Sequence, residues 1–103
     1  MEHFAEVLET GIGFFNQRDY VAACGYWTAH WAEAEPGEAR LLQGLLQIAA
    51  GYAKAESGNV AGAQKLMGMG IDKLRCYAPQ VHGIDIDVFV ASVRRSMVEL
   101  SQL

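Results

Sequence analysis

The sequence predicts an all-α fold: a compact bundle of about five antiparallel helices, with residues 1–103 forming one domain. Three observations carry that expectation. Apolar residues recur at helical spacing along most of the chain, and no segment alternates like a half-buried strand. Clusters of breaking and capping residues, "EAEPGEAR", "SGNV" and "APQVHG", separate the periodic stretches by short connections. The hydrophobic content is 51%. A chain of this size buries roughly 60–70% of its unfolded surface, so that content suits one core without a metal or disulfide.

The first helix is expected over about Glu2 to Gln17. Phe4, Val7, Leu8, Gly11, Ile12 and Phe15 share one face, with Glu2, Glu6 and Glu9 mostly opposite. Asp19 is placed to cap a second helix, in which Tyr20, Cys24, Trp27, Trp31 and Ala34 form a single apolar stripe. Pro36 disfavours helical geometry at Glu35 and suits the first turn of a third helix, running to about Ser57. Leu41, Leu42, Leu45, Leu46, Ile48, Ala49, Tyr52 and Ala53 make that helix apolar around more than half its circumference, which predicts a central position.

Gly58 suits a left-handed helix end, and Asn59 caps the fourth helix. Val60, Ala63, Leu66, Met67, Gly70, Ile71, Leu74 and Tyr77 lie on its inner face. "APQVHG" is read as a loop. Asp85 caps a fifth helix whose buried stripe is Ile86, Phe89, Val90, Val93, Met97 and Leu100. No repeat of fixed period appears, although the paired helices leave a tetratricopeptide-type hairpin array as an alternative architecture.

Charge and composition narrow the function classes. The formal charge is −4, and no basic cluster exceeds the pair Arg94-Arg95, which sets nucleic-acid binding aside. The run "LLQGLLQIAAGYA" is interrupted by Gln and Gly and is too short to span a bilayer. The acidic, amphipathic "MEHFAEVLET" does not resemble a signal peptide, so a cytoplasmic location is expected. Charged residues make up only 19% of the chain, which points to an apolar patch of surface that meets a partner.

"GIGFFN" and "GMGIDK" lie inside helices without a preceding strand and lack the third glycine of a phosphate loop; close helix–helix approach is the expected reason for them. Gly44 and Gly51 share a stripe of the third helix with Arg40, Gln43, Gln47 and Lys54. Two readings stay open for it: a solvated polar face, or a packed polar seam hydrogen-bonded to neighbouring helices, a ligand or another subunit. His3 with Glu6 and Glu9, His30 with Glu33, and His82 with Asp85 and Asp87 make poor metal sets, and no metal or cofactor is expected. Cys24 shares a face with Trp27 and Trp31 and reads as a buried small hydrophobe, because His30 points elsewhere. Neither Cys24 nor Cys76 belongs to a C-x-x-C pair.

One resemblance adds to this reading. Phe15-Asn16, Tyr20, Trp27, Trp31, "RLLQGLLQIAAGYAKAESGNVAGAQKL" and "GID" resemble a family of small prokaryotic helical proteins, the domain of unknown function 309. Its members are sometimes labelled predicted metal-dependent hydrolases. The most specific part is Arg40-x-x-Gln43-Gly44-x-x-Gln47 followed by Gly58-Asn59-x-x-Gly62-Ala63. The family pattern implies a His-Glu pair where this chain has Cys24 and Gly25, and often a histidine where Lys54 stands. The resemblance therefore implies the fold while removing the metal-binding set, and it favours the polar-seam reading.

The expected function is a binding or assembly module with a degenerate family active site, forming a homodimer. Its candidate seam and pocket are Cys24, Trp27, Trp31, Arg40, Gln43, Gln47 and Lys54, for a small molecule of unspecified class. The alternative is a divergent hydrolase whose pocket between the second and third helices is lined by Cys24, Arg40, Gln43, Gln47 and Lys54 and roofed by Trp27 and Trp31. An inactive paralogue that regulates an active relative is a third possibility.

Overall fold

The computed structural model describes residues 2–103, with side chains from residue 3 onward. Five helices make up the fold: α1 (Glu2–Asn16), α2 (Tyr20–Trp31), α3 (Pro36–Glu56), α4 (Val60–Leu74) and α5 (Ile86–Ser101). Each packs on the next along the chain. The expected place of Glu2 on the polar face of α1 lies outside the described side chains.

Local chemistry sets the helix ends. Asp19 Oδ1 accepts a hydrogen bond from the Ala22 amide, Asn59 Oδ1 from Gly62, and Asp85 Oδ1 from Val88. Each caps one orphan donor of the helix that follows it. Pro36 opens α3 after Glu35, which is extended at φ −62°, ψ 153°. Gly58 ends the α3 region with φ +89°, in the left-handed region where a side chain is disfavoured.

Close contacts fix how the helices pair. Trp27 Nε1 of α2 donates to the Val7 carbonyl of α1 at 3.2 Å, and a Cβ at Gly11 would fall inside the same indole. Further along the pair, Phe14 meets Tyr26 and Phe15 meets Tyr20, so α2 descends as α1 climbs. On α3, Gly44 faces Gly70 and Leu74 of α4, while Gly51 faces Ala63 and Met67. These two helices therefore also run in opposite directions. Glycine on each side lets the backbones approach where larger side chains would hold them apart.

The core is built from Phe4, Val7, Leu8, Trp27, Leu41, Leu42, Leu45, Ile48, Met67, Leu74, Ile86, Val90 and Val93. Phe15 ties the assembly together, with its ring 5.1 Å from Tyr20, 5.2 Å from Tyr52 and 5.5 Å from Phe89. It thus joins α1 to α2, α3 and α5. An open tetratricopeptide-type array would keep its first and fifth helices apart. Gln64 Nε2 donates to the Met97 carbonyl at 2.7 Å, and Tyr52 shares a 2.6 Å hydrogen bond with Ser96, which fastens α5 to α4 and α3.

Three local expectations need correction. α4 stops at Leu74, and Tyr77 belongs to a short 3-10 turn, Arg75–Tyr77, where its hydroxyl donates to the Gly37 carbonyl. "APQVHG" is more than a loop: β1 (Gln80–Val81) and β2 (Ile84–Asp85) pair antiparallel around His82 and Gly83, at φ 47° and 79°. Two successive left-handed residues are what a tight two-residue hairpin requires. The apolar stripe of α2 is also narrower than its spacing suggests. Trp27 is 1% exposed, but Trp31 is 42% exposed because α2 ends there, with Ala34 beyond it, and Cys24 is only half-buried.

Candidate binding groove between α2 and α3

Where the N-terminal half of α2 meets the C-terminal half of α3, their facing side chains are small. Val21, Cys24 and Gly25 form one wall, Ala50, Ala53 and Lys54 the other, and Ser57 closes the end. The result is a groove of about 470 Å³, within the range of small-molecule sites. A Cβ added at Gly25 would meet nothing within 4 Å, so this glycine leaves open space rather than serving a close contact.

The groove's backbone polar groups are partly engaged already. Thr28 Oγ1 donates to the Cys24 carbonyl at 2.7 Å, and Ser57 Oγ to the Lys54 carbonyl at 2.9 Å. What remains for a ligand is a thiol, an ammonium and the methyl groups of Val21, Ala50 and Ala53. Among the described residues, no imidazole or carboxylate lines the groove.

Of the residues expected at the site, the fold brings Cys24 and Lys54 together here. Trp27 points the other way, into a small apolar cavity of about 90 Å³ with Ile12, Phe15, Leu45 and Phe89. Trp31 stands at the exposed end of α2 and roofs nothing in this groove. Arg40 is exposed and Gln43 half-buried. Gln47 is only 9% exposed, and its Oε1 has no hydrogen-bond partner among the described residues. The third-helix stripe thus divides. Gly44, Gln47 and Gly51 are packed inside, whereas Arg40 and Lys54 reach solvent.

A second concavity, about 240 Å³, lies where the start of α1, the end of α2 and the start of α3 converge. His3, His30, Glu33, Glu35 and Glu38 stand over Phe4, Val7 and Leu42, with the two imidazoles 5.8 Å apart. Spacing along the sequence gave no signal for it, because its residues come from three elements. Among the described residues, no three His, Cys, Asp or Glu side chains are grouped to hold a metal ion, here or in the groove.

The family model for a domain of unknown function, DUF309, matches residues 8–66, more than half of the chain. The chain belongs to the DUF309 family. No curated protein matches it. The matched DUF309 region contains all of α2 and α3, and so both walls of the groove.

The fold also gives the DUF309 pattern a location. The positions implied to carry His-Glu and a further histidine are 24, 25 and 54, and all three line this one groove. In this DUF309 chain they supply a thiol, no side chain at all and an ammonium. A divalent cation needs several neutral imidazole, carboxylate or thiolate donors, and a lysine ammonium repels it. The residues present do not fit a metal.

Proposed function

We propose that this DUF309 chain is a binding module, homodimeric and cytoplasmic, that receives a small organic ligand in the α2–α3 groove without turning it over. The observation that carries this reading is the convergence of Cys24, Gly25 and Lys54 on one groove whose family-type metal set is missing. The apolar walls favour a ligand with hydrocarbon surface. Val21, on the rim, is 73% exposed, an apolar surface of the kind that a second subunit would cover.

A divergent hydrolase using Cys24 would need a neighbouring base, and neither imidazole nor carboxylate lines the groove.

Filling the groove tests the binding part. Gly25→Trp places an indole in the open space beside Cys24. Small molecules that raise the thermal midpoint of the wild type are expected to lose that effect in G25W. Ligands that stabilise both proteins equally would move the site elsewhere. Light scattering tests assembly separately: a dimer mass is expected, and a monomer at high concentration would remove that part of the proposal.

A further inference from the structure

We propose that the ligand of the α2–α3 groove is an amphiphilic anion, namely a linear aliphatic monocarboxylate. Its chain lies along Val21, Ala50 and Ala53, and its head group meets Lys54. This rests on the binding reading above and adds the charge and shape of the ligand to it.

Among the described residues, Lys54 is the one charged side chain in the lining and no Asp or Glu joins it, although acidic residues outnumber basic ones in the whole chain by 12 to 8. The charge that the groove's own lining can pair is therefore that of an anion.

Shape comes next. Both walls are mostly hydrocarbon; among the described residues, the polar side chains besides Lys54 are the Cys24 thiol and the Ser57 hydroxyl, which already donates to the Lys54 carbonyl. A compact polar anion such as phosphate would face methyl groups along most of its surface. An anion with an unbranched hydrocarbon tail satisfies the walls and the ammonium together. At about 470 Å³ the groove has room for such a chain.

The test uses three probes of equal length, octanoate, 1-octanol and octylammonium. Each is titrated against Cys76→Ser protein, in which Cys24 is the only thiol. Calorimetry reads affinity, and the rate of maleimide alkylation reads occupancy at Cys24. Octanoate is expected to bind most tightly and to slow alkylation. Affinity should rise about two- to four-fold per added methylene from hexanoate to decanoate, because the open groove buries part of each. Lys54→Met, which keeps an unbranched side chain one atom shorter and removes its charge, should weaken octanoate about 5–10-fold and leave octanol unchanged.

Equal binding of all three probes, with no effect of K54M, would overturn the anion inference while leaving the groove a binding site. Preference for octylammonium would overturn it outright. So would octanoate binding without protection of Cys24. If no probe binds, the monocarboxylate is wrong, and the G25W comparison with unrelated ligands then judges the groove by itself.

Discussion

Gly70 of α4 lies so close to Gly44 of α3 that a Cβ at position 70 would stand 2.6 Å from the Gly44 carbonyl oxygen and 2.5 Å from Ile48 Cγ1. Neither the helix backbone nor the packed Ile48 can yield cheaply. Gly70→Ala is therefore expected to destabilise the protein by about 1–3 kcal/mol despite alanine's better helix propensity. Gly25→Ala is the control, since its Cβ meets only open space, and it should stabilise by about 0.5–1 kcal/mol. Urea denaturation of both variants measures the contrast. Equal effects would mean that helix propensity rather than the seam decides.

Trp27 and Gly11 form a second interlocked pair. The indole occupies the space a Cβ at position 11 would take and donates to the Val7 carbonyl. Trp27→Phe should cost about 2–3 kcal/mol through lost volume and the lost hydrogen bond. Gly11→Ala should cost a comparable amount. Their double mutant should cost less than the sum by about 1 kcal/mol or more, because the smaller ring relieves the clash. Additive losses in a denaturation cycle would show that the two sites act independently.

Gln47 offers a test of the buried part of the polar stripe. Its Oε1 is buried with no partner among the described residues, and such a group costs about 1–3 kcal/mol. Gln47→Met removes the acceptor at nearly constant volume. It should be neutral or stabilising by up to about 1 kcal/mol, whereas Gln47→Ala should destabilise by leaving a void. A clear loss of stability in Q47M would instead show that the amide is needed for the fold.

The tyrosines set the response to alkali. Burial raises the Tyr20 phenol above its ordinary value of 10.0, and the Tyr52 phenol beside it adds to the rise. Burial likewise raises Tyr77, against the opposing effect of Arg40. A raised folded-state pKa favours the neutral phenol. The associated stability is fully present below the unfolded pKa near 10 and is lost as pH rises through the folded value. The thermal midpoint should fall between about pH 9 and pH 11. Tyr20→Phe should make that fall shallower. An identical slope in Y20F would assign the alkaline loss to other groups.

The helix starts and the stop after α3 were legible because the signals that make them are local, whereas the end of α4 at Leu74 was not. Asp19, Asn59 and Asp85 cap helices through amides three residues away, and Pro36 and Gly58 act through their own backbone angles. The two-residue hairpin at His82-Gly83 escaped notice. Its turn lacks the usual Asn or Asp before glycine, and strands of two residues carry no alternation to detect.

Burial along a single helix was only partly legible. Period alone gives Trp27 and Trp31 the same face, yet one is sealed against α1 and the other stands at a helix end with no neighbour above it. Likewise Gly11 and Gly13 look alike in "GIGFFN", but only Gly11 meets a partner side chain. A helical stripe states which side chains point the same way. It does not state how far the neighbouring helix extends beside them.

Local spacing was enough for the helical class, the order and starts of the five helices, and membership of the DUF309 family. Those properties rest on spacing and on contacts within a few residues. Only the tertiary structure decided that Cys24, Gly25 and Lys54 share one groove while Trp27 faces away from it. It also decided which glycines serve close approach and which leave space. These depend on the angle and register at which α2 and α4 meet α3, and those are set by the packing of side chains far apart in the chain.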